Sequence, residues 1–158
     1  MAFQDAPVDH LTRRRIEAQV LKPLIRLLEE RLGREEARRI LSQALNSISR
    51  EDGRALAERL GRNDLKAFRD HVLPMWSGSG HMDLEVLESA PGTLEFDVTR
   101  CDYLVLYREL GLEDYAEVLS CDRDWAFLEG FNPDLRLRRD ETLARGDGCC
   151  AFRYTSDR

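Results

Sequence analysis

The chain has 158 residues, with 24 lysines and arginines against 30 aspartates and glutamates, for a net charge of −6. That length suits one domain able to bury a core without disulfides or metal. The acidic balance, with arginines dispersed among acids in RRRIE, EERLGREEARR and RALAERLGR, argues against a nucleic-acid binder.

A polar leader over residues 1–9 precedes a segment from Leu11 to Leu32 with Ile16, Val20, Leu24, Leu27, Leu28 and Leu32 at helical spacing. Pro23 inside it predicts a kink or two short helices, and Gly33 closes it. Arg34 to about Arg50 repeats the pattern, with Glu35 and Glu36 in the first turn. From Asp52 to Val72 the apolar set is interrupted at Gly61-Arg62-Asn63-Asp64, a stop followed by an Asn or Asp cap. Pro74 to Gly80 reads as a loop carrying an exposed Met75-Trp76 pair, either a lid or, more simply, a connector whose Trp docks on the core.

The period then changes to two. Leu84 to Ser89 and Thr93 to Thr99, joined by Ala90-Pro91-Gly92, read as an antiparallel hairpin. Asp102 to Leu110 reads as a helix ended by Gly111, and Glu113 to Leu119 as a further turn or two. Leu135 to Arg139 and Cys150 to Thr155 alternate as two more strands, with Gly146-Asp147-Gly148 as a turn. The expected fold is α+β, a single domain over residues 10–158. Its helical half (10–73) and mixed half (82–156) place helices on an antiparallel sheet of four strands, with helices inserted between two hairpins.

The stretch SCDRDWAFLEGFNP, Ser120 to Pro133, concentrates a thiol, three carboxylates and an indole. As a helix stopped by Asn132-Pro133, it puts Cys121, Trp125 and Leu128 on one face with Asp124 at its edge, so a thiol and a carboxylate would look into one cavity floored by the indole. The plainer reading makes Asp122 and Asp124 first-turn acids, Trp125 and Leu128 core, and Cys121 a small buried hydrophobe.

The four cysteines, Cys101, Cys121, Cys149 and Cys150, lack C-x-x-C spacing, and MAFQDAPVDH lacks the pattern of a signal peptide. No apolar run reaches the roughly 18–20 residues of a membrane span. A reduced, cytoplasmic chain without membrane attachment is expected. Cys101, Cys121 and Cys150 with His81 or Asp124 do not have the short spacings of a metal motif, so no metal and no cofactor is expected. His10, His71 and His81 pair with no Ser or Cys motif and read as exposed. Arg153, alternating with Phe152 and Tyr154, is either a surface arginine or one holding a carboxylate bidentately.

TRCDYLVLYRELG, VLSCDRDWAFLEGFNPDLRLRR and CAFRY together resemble the L-2-amino-thiazoline-4-carboxylic acid hydrolase family. The residues that carry the likeness are Thr99, Arg100, Cys101 and Tyr103; Tyr107, Glu109, Leu110 and Gly111; Ser120, Cys121, Arg123 and Asp124; Glu129 to Pro133; and Cys150, Phe152, Arg153 and Tyr154. The chain departs from the pattern at Asp140-Glu141-Thr142, in place of Thr-Gln-Thr, and at Ala151, in place of Asp. The resemblance implies hydrolysis of a cyclic amidine, with water adding at C2 of the aminothiazoline ring and the C–S bond opening to give N-carbamoyl-L-cysteine. Such a reaction needs a base, an acid and a cation for the substrate carboxylate. Asp124 and Glu129 are then the available bases, Cys121 or Cys101 the nucleophile or acid, and Arg153 or Arg123 the carboxylate clamp, with Trp125 or Tyr107 lining a wall. Cys101, Cys121 and Asp124 are expected to converge on one pocket with Arg153 at its rim. The partner is a small-molecule carboxylate, and a homo-oligomer is left open. The alternative is a non-catalytic small-ligand sensor or scaffold of the same fold.

Overall fold

The computed structural model describes residues 8–87 and 90–156. Its elements are α1 (His10–Leu32), α2 (Arg34–Leu60), α3 (Leu65–Ser77), β1 (Met82–Val86), β2 (Thr93–Cys101), α4 (Asp102–Glu109), a π-helical turn (Glu117–Cys121), α5 (Arg123–Phe131), β3 (Leu135–Arg138) and β4 (Cys150–Ser156). The fold is α+β: all strand pairs are antiparallel, in the order β1-β2-β4-β3, so two hairpins join edge to edge through β2 and β4. One sheet face is buried, with Leu94, Phe96 and Val98 of β2 and Cys150, Phe152 and Tyr154 of β4 alternating inward, as the period of two requires.

Several boundaries differ from the sequence reading. The first strand begins two residues early and ends at Val86; Glu88 and Ser89, which the expected strand included, lie outside the described residues, as do residues 1–7 of the expected leader. Asp9, the last residue of that leader, is the N-cap of α1, its carboxylate accepting from the Thr12 amide at 3.0 Å. α1 runs through Pro23 as one helix. The hydrogen bond that proline removes is offset by burial of Ala18 and Ile25 on either side. α2 does not stop near Arg50 but continues to Leu60, because Gly53 is a contact point rather than a break. A Cβ on Gly53 would meet the Phe127 carbonyl oxygen at 2.1 Å, and one on Gly130 the Arg50 carbonyl oxygen at 1.9 Å. The paired glycines let α2 and α5 approach backbone to backbone.

The expected loop at Pro74 to Gly80 is instead the last turn of α3 followed by a 3₁₀ turn at Gly78–Gly80. Trp76 is buried against Phe68 and Phe152, docked on the core as the simpler of the two readings expected, while Met75 is exposed. Two apolar clusters result. One lies between α3, α5 and the sheet, the other among α1, α2, α4 and the π turn, and Met82 and Cys101 touch both. No helix among the described residues is long and apolar enough to cross a membrane.

Candidate functional site

A cavity of about 220 Å³ opens between the two clusters. α1 supplies His10, Arg13 and Arg14; α2 supplies Ser49, Asp52, Ala55, Leu56 and Arg59; α3 supplies Met75 and Trp76; the sheet supplies Val98, Cys101, Cys150 and Phe152. Ser120, Cys121, Arg123, Asp124 and Phe127 enter from the π turn and α5, and Arg139 from just beyond β3. A π turn leads into α5 at this wall. The Asp122 amide donates to the Glu117 carbonyl at 2.8 Å, five residues back, and Ser120, Asp124 and Phe127, at i, i+4 and i+7, share the face that meets the cavity with Cys121 at its edge. The α-helical phase expected from sequence paired Cys121 with Trp125 instead. Trp125 is 40% exposed, does not line the cavity, and donates from Nε1 to the Leu137 carbonyl at 3.2 Å.

Asp124 is held by Arg139, whose Nη1 donates to Oδ2 at 2.5 Å while Nη2 donates to the Cys121 carbonyl at 2.9 Å. The guanidinium is sandwiched between the rings of Trp125, 4.4 Å from its centroid, and Phe152, at 4.8 Å, a cation–π placement that substitutes for lost water. Burial pushes the Asp124 carboxyl up, against the pull of Arg139. Burial also raises the thiols, Cys101 to about 11 and Cys121 and Cys150 in the same direction, so all three are protonated at neutral pH. Among the described residues no group of three or more His, Cys, Asp or Glu side chains is arranged to hold a metal.

The opposite wall is cationic. Arg14 Nη1 donates to Glu17 Oε2 at 2.7 Å, Arg123 Nη1 to the same oxygen at 3.0 Å, and Arg123 Nε to Ser49 Oγ at 2.8 Å. Arg14 and Arg123 are buried. His10 sits between them and Tyr103: Nδ1 is 2.9 Å from the Tyr103 hydroxyl and Nε2 is 3.3 Å from Arg14 Nη2. Because the Tyr103 hydroxyl donates to the Trp76 carbonyl at 3.0 Å, it must accept from Nδ1–H, which leaves Nε2 as the acceptor facing Arg14. Burial, reinforced by Arg14 and Arg123, lowers His10 to about 3, so the imidazole is neutral.

Of the residues singled out from sequence, Cys101, Cys121, Arg123 and Asp124 share this cavity. Arg153 does not stand at its rim. It projects from the other face of β4, where Nη1 pairs with Asp97 at 2.8 Å, because strand alternation sends it opposite to Phe152. Glu129 is exposed and pairs with Arg50 at 2.9 Å on the outer side of the α2–α5 contact. Tyr107 is fully buried in the second cluster and lines no part of this cavity. His10, read as exposed, is part of the wall. Asp140, Glu141 and Ala151, the departures from the family pattern, are absent from the lining.

Sequence reasoning missed Arg14, His10 and Arg139. A signal existed for the first: Arg14 falls on the buried stripe of α1 with Leu11, Ala18, Leu21 and Ile25, where a charge requires a reason. Arg139 followed a strand of alternating arginines and looked like one more of them.

The sequence model of the L-2-amino-thiazoline-4-carboxylic acid hydrolase family matches residues 13–154. The chain belongs to that family. Comparison with curated proteins gave no match. The family motifs can be sorted by what they do in this fold. Ser120, Cys121, Arg123 and Asp124 all line the cavity. Gly130 and Asn132 are architectural, the latter donating from Nδ2 to the Asn63 carbonyl at 2.9 Å and accepting from the Asp134 amide at 2.9 Å to end α5. Arg100 ties the sheet edge, meeting both oxygens of Asp83 at 2.9 Å and the Gly80 carbonyl at 2.7 Å.

Proposed function

We propose that this chain hydrolyses a small cyclic amidine carboxylic acid, the reaction implied by the family name being conversion of L-2-amino-thiazoline-4-carboxylate to N-carbamoyl-L-cysteine. The observation that carries the reading is the convergence of the SC-x-R-D residues on one cavity, where a carboxylate raised by burial adjoins a protonated thiol. A base with an elevated pKa and a nearby acid are what addition–elimination at an amidine carbon needs near neutral pH.

With the ring amidine protonated, Asp124 takes one proton from water as the water oxygen bonds to C2, giving a neutral tetrahedral carbon. C2–S then breaks, its electron pair passing to sulfur. The oxygen's remaining proton leaves to solvent as the carbonyl forms, and the Cys121 thiol protonates the departing sulfur. Cys121 recovers its proton from Asp124, the charge that acts most strongly upon it. Because burial keeps the thiol protonated, the acid role suits Cys121 better than that of attacking nucleophile. Arg139 fixes the Asp124 carboxylate, and its buried Nε, which has no partner among the described residues, is a donor available to the developing oxygen charge.

The test is thiol release from aminothiazoline carboxylate and related cyclic amidines by catalytic amounts of the purified protein, read with a thiol-reactive chromophore. Continuous turnover supports the assignment. Saturable binding with no thiol released across the set would instead assign a ligand-binding role.

A further inference from the structure

We propose that Arg14, with Arg123 beside it, is the specificity clamp that takes the carboxylate of the substrate, an assignment resting on the hydrolytic reading above. The electrostatic observation is an imbalance. Glu17 is shared by three guanidiniums, those of Arg13 at 3.4 Å, Arg14 at 2.7 Å and Arg123 at 3.0 Å, and all three arginines line the cavity. Arg14 and Arg123 keep only 9% and 4% of their side chains exposed. Buried cations without matching anions are costly, and a bound carboxylate supplies the missing charge.

The geometric observation is a donor left over. Arg14 commits Nη1 to Glu17 and Nη2 to His10, while Nε is buried and has no hydrogen-bond partner among the described residues. A guanidinium N–H left without an acceptor on a residue of the cavity wall is a binding contact awaiting one. His10, fixed by Tyr103 so that its Nε2 accepts, holds the guanidinium in plane without adding charge. Arg123 and Asp124 are consecutive at the start of α5. Asp124 lines the same cavity and feels the charges of both Arg14 and Arg123, so a carboxylate held by the clamp would leave the rest of a small ring in the space that the base also faces. Arg153, which pairs with Asp97 on the far face of the sheet, cannot serve.

The experiment crosses residue against substrate group. 2-Amino-2-thiazoline has the same ring without the carboxylate and also releases a thiol on opening, so one assay reads both. In Arg14→Gln, kcat/KM for the acid should fall by about 30-fold or more, mainly through KM, while that for the plain ring stays within about threefold of wild type. Arg14→Lys, which keeps the charge but lacks Nε, should fall in between. Equal losses on both rings, or no loss on the acid, overturn the clamp. Should Arg14→Gln fail to fold, Glu17→Gln carries the test: removing the competing carboxylate should lower KM for the acid, and an unchanged or raised KM overturns the proposal. If wild-type protein opens neither ring, the hydrolytic reading has failed and calorimetry judges the clamp alone. Binding of the acid but not the plain ring, lost in Arg14→Gln, supports it; no binding of the acid by wild type overturns it.

Discussion

Replacing Asp124 by Asn separates the structural and chemical demands on this carboxylate. The side chain neutralises Arg139, whose own side chain is 3% exposed, closed in by Trp125 and Phe152 and already carrying one N–H unpartnered among the described residues. Removing one member of a buried pair strands the other, at a typical cost of about 3–5 kcal/mol. Asn keeps the shape and one acceptor oxygen, so the lower end, about 3 kcal/mol, applies. For a chain of this size that corresponds to a fall in Tm of about 6–12 °C. Turnover should drop by about 10²-fold or more, because the amide cannot take a proton from water. Thermal unfolding by far-UV circular dichroism and thiol release, measured on the same preparations, give both numbers. Asp124→Asn/Arg139→Met removes the stranded cation and should recover much of the Tm while remaining inactive. A single variant melting within about 2 °C of wild type would refute the buried pair. One retaining more than about a tenth of wild-type kcat would refute the base.

His10 should make stability depend on acid. Unfolded, it binds a proton near 6.5, and folded only near 3, so between those values the unfolded state holds the extra proton. This contribution is complete above about pH 6.5 and is lost as pH falls, by about 1.4 kcal/mol per unit and about 4 kcal/mol by pH 3.5. His10→Gln should flatten that part of the pH–stability curve, and an unchanged slope from His10→Gln would show that His10 is not the group responsible. Gly53→Ala or Gly130→Ala should destabilise the fold by more than about 2 kcal/mol in urea unfolding, because each new methyl meets the backbone of the facing helix. Cys101, raised to about 11 by burial, should alkylate with iodoacetamide far more slowly than a free thiol at pH 7.5, and peptide mapping after a timed pulse reads the rate at that residue alone. Arg153→Ala should leave kcat and KM unaltered, since its partners are Asp97 and the Phe96 carbonyl on the face away from the cavity.

The sheet was legible because a half-buried antiparallel strand writes its exposure into alternate residues, and Leu94, Phe96 and Val98 follow that rule without exception. The convergence of Cys101, Cys121 and Asp124 was likewise readable from where the elements end. Trp125 was assigned to the wrong side because Asp124, read as the edge of the face, is part of its centre: Ser120, Asp124 and Phe127 form the cavity stripe, and Trp125 falls beside it and packs on Arg139. Arg139 was invisible for a different reason. Its partners Asp124 and the Cys121 carbonyl lie fifteen and eighteen residues earlier in sequence, and only tertiary packing distinguishes it from Arg136 and Arg138. The continuity of α2 through Gly53 rests on the same kind of information. A glycine in a helix reads as a break until the facing helix, with its own glycine, is known.

Water addition at the amidine carbon and ring opening at sulfur each leave a mark on the product. The most direct measurement is mass spectrometry of the product formed from aminothiazoline carboxylate in ¹⁸O-labelled water by wild type and by Asp124→Asn. Wild type should give N-carbamoyl-L-cysteine carrying one ¹⁸O in its ureido carbonyl, with stoichiometric free thiol, and the variant little product. Recovery of unchanged ring from wild type, or equal label and rate with Asp124→Asn, would contradict that mechanism.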